Sequence, residues 1–192
     1  MPLPEAAPRE HMHTRRVECQ AFRRQDGLWD IEGELVDTRS WDASNAWRGE
    51  IPAGTPVHGM RLRLSVDEGF VIREVSVAMD EHPFARCNAI EPAYEQLVGL
   101  RIGPGFSHRC RRLFGATRGC THVTKLLDNL ATTTFQAMGP VLSREARARG
   151  EDPSGGRKPF FLDGCHALAA DSETVREHYP RWYRDTTPGP EG

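Results

Sequence analysis

The stretch Met60-Arg61-Leu62-Arg63-Leu64-Ser65-Val66-Asp67-Glu68-Gly69, with its return through Ile72 to Val77, decides the fold class. Met60, Leu62, Leu64 and Val66 alternate strictly with polar residues, the period of a strand with one buried face. Asp67-Glu68-Gly69 turns the chain, and Ile72, Val75 and Val77 bring it back. Upstream, Val17, Cys19 and Ala21 alternate, Asp26-Gly27 makes a turn, and Trp29, Ile31 and Leu35 resume the alternation across Gly33. A first hairpin is therefore expected before the second. Between them Ser40 to Gly54 reads as a polar loop, with Trp41 and Trp47 expected to pack back on the sheet.

After this meander the period changes. Ala89, Tyr94, Leu97 and Val98 suit a short helix stopped by Gly99, with Pro92 tolerated in its first turn. Phe106 to Phe114 is a basic helical segment ended by Gly115. Val123, Leu126, Leu127, Leu130, Thr134 and Met138 form the clearest 3.6-residue stripe, closed by Gly139-Pro140. Ser172 to Tyr179 is a short capped helix, docked by Pro180 to Tyr183. Strands first and helices afterwards define an α+β class, an antiparallel β-meander followed by packed helices. The length of 192 residues suits one domain, at about 100 to 200 residues each. It is placed at residues 13–184, with a charged, glycine-containing loop near 148–158. Residues 1–12 and 185–192 are rich in proline and polar residues and are expected to be disordered, with His11 and His13 in the flexible start.

Composition narrows the function classes. A net charge of −2 provides no basic footprint for nucleic acid. No apolar run approaches the roughly 20 residues of a membrane span, and the start lacks a signal-peptide pattern, so a cytoplasmic protein is expected. Five cysteines, irregularly spaced, argue for reduced thiols rather than a disulfide framework. No nucleotide cofactor motif is present.

Those thiols recur beside histidines. Gly119-Cys120-Thr121-His122 opens the amphipathic stripe, and Asp163-Gly164-Cys165-His166 echoes it downstream. Thiolate and imidazole together suit zinc or iron. Cys120 precedes the first helical turn, where unpaired N–H groups and the dipole favour a thiolate. His122, two residues on, points to another side of that turn. His58 stands at the start of the second hairpin and Cys87 follows its exit, so strand pairing is expected to bring the two together. The expected ligands are His58, Cys87 and Cys120, joined by His122. Asp163, Cys165 and His166 are alternatives for a fourth ligand or an outer partner. Cys19 reads as core and Cys110 as semi-exposed, while His82 lies near Cys87 in a loop. An open coordination position would suit catalysis, and a closed one structure.

The phrases His13-Thr14-Arg15-Arg16, Asp26-Gly27-Leu28-Trp29-Asp30-Ile31-Glu32-Gly33, Pro56-Val57-His58-Gly59-Met60, Leu97-Val98-Gly99-Leu100, Gly119-Cys120-Thr121-His122 and Asp163-Gly164-Cys165-His166-Ala167 resemble those of a bacterial family known only as a domain of unknown function. That resemblance spans most of residues 13–183 and implies a bacterial source without an activity. Gly59 departs from it, since members are expected to carry aspartate there. A fainter resemblance, over about 80 residues, is to iron–sulfur scaffold proteins of the NifU and IscU kind. The order His58-Gly59-Met60, hairpin, Cys87-Asn88-Ala89-Ile90, then Cys120 before a helix is similar to theirs, with a histidine in place of the first cysteine and the aspartate absent. It implies a scaffold-like fold, and fold alone does not carry function.

Three functions compete on these grounds. The first is a metal-binding protein handling zinc, iron or a cluster, with a metal or cluster donor or acceptor protein as partner. The second is a metal-dependent hydrolase or lyase acting on a small carbonyl or aromatic compound. The third is a non-catalytic protein-interaction domain with buried cysteines.

Overall fold

The computed structural model describes residues 3–185. The expected tail Thr186 to Gly192 lies outside the described residues. Four long strands form one antiparallel sheet: β1 (His13–Arg23), β2 (Trp29–Arg39), β5 (Pro56–Val66) and β6 (Ile72–Glu81), in the order β1-β2-β5-β6. A separate short hairpin, β3 (Ala43–Asn45) with β4 (Gly49–Ile51), connects β2 to β5. Helices follow, giving the α+β class that the alternation followed by the stripe called for.

The β3–β4 hairpin corrects the expectation of a plain polar loop. Asn45 builds its turn by accepting from the Trp47 and Arg48 N–H groups through Oδ1. Trp41 and Trp47, expected against the sheet, are exposed. The Arg39 guanidinium lies over the Trp41 ring and Trp47 stacks on His82.

One face of the sheet carries Ile31 and Leu35 of β2, Met60, Leu62, Leu64 and Val66 of β5, and Ile72 and Met79 of β6, all buried. Helix α2 (Thr121–Ala148) covers this face, with Val123, Leu126, Leu127, Leu130, Thr134 and Met138 buried along its stripe. Gly33 permits that approach: a Cβ there would stand 2.9 Å from Leu130 Cδ2. The Leu126 and Leu130 side chains thus meet the middle of β2, and Phe135 packs against Phe70 in the turn between β5 and β6. The helix therefore starts at the opposite end of the sheet, near the end of β2 and the start of β5.

Before α2 come a 3₁₀ stretch (Cys87–Leu97) and α1 (Phe106–Phe114). The first was expected as an ordinary short helix, but Pro92 lies within it and its C-terminal turn closes through Val98 N to Glu95 O. Cys110, expected to be semi-exposed, is buried with Phe106 and Phe114 on the apolar side of α1. The stop expected at Gly139-Pro140 does not occur, and α2 runs on to Ala148. Proline deletes one helical donor there, and the turns on either side carry the helix across the gap.

The chain divides into two compact units, Met1–Gly139 and Pro140–Gly192. In the second, Asp152 accepts from Ser154 and Gly156, Asp163 pairs with Lys158, and Phe161 meets Tyr179 edge-on. Ser172 caps α3 (Glu173–His178) by accepting from Val175 N, as the sequence suggests. Among the described residues no helix is long and apolar enough to cross a membrane.

Candidate metal centre

Strand register assembles the site. Arg15 of β1 stands opposite Asp37 of β2, and Asp37 stands opposite His58 of β5, so the three form one row across the sheet. The row continues the buried face on which Ile31, Gly33 and Leu35 precede Asp37 at every second position of β2. A carboxylate thus occupies a place where the alternation asks for an apolar residue. From the other side, the first turn of α2 lowers His122 onto the row, its ring stacked on that of His58 with centroids 3.8 Å apart.

Asp37 is the floor, 1% exposed, and the imidazoles of His58 and His122 form a rim that is 18% and 22% exposed. Arg15 grips the carboxylate with both arms, Nε to Oδ1 at 2.7 Å and Nη2 to Oδ2 at 2.6 Å. His13 Nε2 lies 3.1 Å from Oδ1 and His58 Nδ1 3.0 Å from Oδ2. His13, assigned from sequence to the flexible start, is instead the first residue of β1 and part of this cluster. Among the described residues one group of three or more metal-ligating side chains converges, Asp37, His58 and His122, with one donor atom of each within 4.8 Å of the others.

The electrostatics keep the carboxylate ionised and the two imidazoles uncharged near neutrality. Burial alone pushes the Asp37 carboxyl up, but Arg15, His13 and His58 more than offset it and hold it at about 2. Burial, reinforced by the charge of His122 and opposed by Asp37, lowers His58 to about 4. Burial and then Arg15 lower His122, again against Asp37. Buried carboxylate and neutral imidazoles are the protonation states a cation requires.

The ligands expected from sequence are distributed as follows. His58 and His122 are in the group. Cys120 borders it, with Sγ 3.8 Å from His122 Nδ1, and Cys87 does not join it. Strand pairing does bring the start of β5 beside the end of β6, Gly59 opposite Glu81. Residues 82–86 then turn away, closed by Cys87 N to Phe84 O, and Cys87 begins the 3₁₀ stretch. Asp163, Cys165 and His166 belong to the second unit, where Asp163 serves Lys158 and the Ala170 N–H and Cys165 is exposed. Asp37, Arg15 and His13 were not anticipated. The available signal was charge at inward positions of β1 and β2.

An antiparallel sheet crossed by one long helix, with a buried carboxylate under two neutral histidines, defines an α+β protein with a candidate mononuclear cation site. The chain belongs to the family described as Protein of unknown function (DUF2889), whose model matches residues 13–136. All three residues of the group fall inside that match, which ends just before the division between the two units. No curated protein and no solved structure matches the chain.

Proposed function

We propose that this protein binds one divalent transition-metal ion through Asp37, His58 and His122, and that the ion serves catalysis rather than structure. The observation that carries the reading is the spacing of the donors. Two ligands of one ion, each about 2.0 to 2.1 Å from it, stand roughly 2.9 to 3.4 Å apart at octahedral to tetrahedral angles. Asp37 Oδ2 lies 3.0 Å from His58 Nδ1 and 3.6 Å from His122 Nε2, and one donor atom of each of the three lies within 4.8 Å of the others. An ion taking Nδ1 displaces the proton that this nitrogen gives to the carboxylate.

Two histidines and one carboxylate suit zinc or iron(II) with open positions. Iron–sulfur clusters use thiolates, which this donor set lacks, so the reading favours a mononuclear centre over cluster handling. The half-buried imidazoles leave the solvent side to water or to a small-molecule substrate. An ion held here would acidify its water or polarise a carbonyl, consistent with hydrolase or lyase chemistry. Arg15 grips both carboxylate oxygens and His13 engages Oδ1, which together fix the carboxylate plane.

A second reading rests on Cys120 Sγ, His122 and Asp37 standing in sequence, the arrangement of a thiol nucleophile with base and orienting acid. The metal reading is preferred because donor atoms of Asp37, His58 and His122 converge within 4.8 Å, whereas 3.6 Å from Asp37 to His122 exceeds a hydrogen bond and leaves the base without its orienting acid. Equilibrium dialysis of tag-free protein against zinc and iron(II) tests the first reading. One equivalent is expected, weakened at least 100-fold in His58→Ala and in His122→Ala; equal binding by wild type and the double variant overturns it. Under the second reading Cys120 would be alkylated by iodoacetamide many-fold faster than a simple thiol at neutral pH.

A further inference from the structure

We infer that Tyr94 and Cys120 are positioning residues that fix the tautomer and placement of His122, an inference that rests on the metal reading of the site. Gly119 starts the device: its backbone lies so close to Phe114 that a Cβ would stand 2.5 Å from the Phe114 carbonyl oxygen, which admits no side chain. The chain next meets the Tyr94 hydroxyl, fully buried and with its ring stacked on Phe114 at 4.6 Å. That hydroxyl donates to Cys120 O at 3.0 Å and accepts from Cys120 N at 2.9 Å. Thr124 Oγ1, at 3.0 Å, supplies its third hydrogen bond as donor. One proton given and two accepted saturate the phenol. The backbone of Cys120 is thus clamped at both its polar atoms, one residue before α2 begins.

The clamp sets where the Cys120 thiol stands. Its Sγ lies 3.8 Å from His122 Nδ1, within hydrogen-bond range for sulfur. His122 Nε2, at 3.6 Å from Asp37 Oδ2, is too far for a hydrogen bond. With Nε2 as the ligand atom of the metal reading, the ring proton falls on Nδ1, directed at sulfur, and the lone pair on Nε2 faces Asp37 Oδ2. Metal-bound histidines characteristically give their second N–H to such an outer partner, and losing it costs about 10- to 100-fold in affinity. The role of Cys120 is then to hold a ligand without being one.

The test has a metal-free arm and a metal arm. In the metal-free protein, ¹⁵N NMR at pH 7.5 should find His122 as the Nδ1–H tautomer in wild type and in Cys120→Ser, and shifted toward Nε2–H in Cys120→Ala. In competition with a chromophoric chelator, Cys120→Ala and Tyr94→Phe should bind cobalt(II) about 10- to 100-fold more weakly, with Cys120→Ser restoring most of the loss. The cobalt protein should lack a sulfur-to-metal charge-transfer band. Such a band, the Nε2–H tautomer in wild type, or affinities of both variants within twofold of wild type would overturn the inference while leaving the metal reading standing. Failure of wild type to bind any ion, with the tautomer as expected, would sink the metal reading and reduce the device to a structural one. Tyr94→Phe conserves volume and Cys120→Ser conserves size, so circular dichroism can confirm that each variant is folded.

Discussion

Two polar rows cross the same sheet and are built alike, yet they end in different chemistry. One is Asp30, Ser65 and Glu74, paired residue by residue across β2, β5 and β6 and gathered by Arg24, which also holds Asp26. The other is Arg15, Asp37 and His58 across β1, β2 and β5, closed by His122 from the helix. In the first, Glu74 and its neighbour Asp26 stand more than half exposed, and their lowered pKa values follow from Arg24 hydrogen bonds that water could replace. In the second the carboxylate is sealed from water, and two imidazoles are held neutral above it. The first row and Asp26 gather three carboxylates around one arginine, two of them open to water. A buried row capped by neutral histidines gathers a carboxylate and two imidazoles within reach of one point, which an ion can use by displacing the His58 proton.

The largest break in this comparison should come from Asp37→Ala. Removing the buried carboxylate takes the acceptor from Arg15, His13 and His58, and because Arg15 and His13 are more than two-fifths exposed and can be hydrated, a loss of roughly 3 kcal/mol is expected in urea denaturation. Near-native stability would mean that the row is solvated like its counterpart.

Acid should separate the rows next. His58 has a folded value of about 4 against an ordinary 6.5, so the unfolded chain takes up its proton first as pH falls. Stability of the metal-free protein is full above about pH 6.5 and is lost downward toward pH 4, by on the order of 3 kcal/mol. Asp37, held at about 2 against 3.8, extends the loss to lower pH with the same sign. His58→Gln should flatten the upper window. A profile unchanged by that substitution would show that the imidazole titrates normally.

Gly33→Ala sharpens the role of α2, which carries His122. The added methyl would crowd Leu130 at 2.9 Å, and about 1 to 3 kcal/mol of destabilisation is expected in thermal or urea unfolding. A neutral result would mean that the helix yields freely. The smallest effect belongs to the exposed row: Glu74→Gln should leave the urea midpoint within the scatter of repeated measurements. A clear shift there would erase the contrast between the rows.

Much of this was legible from pattern. The alternation of Met60, Leu62, Leu64 and Val66 and the stripe from Val123 to Met138 mark the buried faces, because each residue's periodicity reports a single neighbour layer. His58 and His122 stand out beside thiols and glycines. Asp37 does not, because its partners lie 22 and 21 residues away and meet it only through strand register. Cys87 was placed by the correct pairing of β5 with β6, but the turn at residues 82–86 is a local path that pairing does not determine. Pro140 was read as a stop because its missing donor is a local penalty, whereas helix continuation depends on the turns around it.

X-ray absorption of the zinc-loaded protein reads the donor atoms around the ion. The expected spectrum has nitrogen and oxygen donors at about 2.0 to 2.1 Å, the outer scattering of two imidazole rings, and no sulfur shell. A shell at about 2.3 Å, or an unchanged spectrum in His58→Ala, would contradict a centre built on Asp37, His58 and His122.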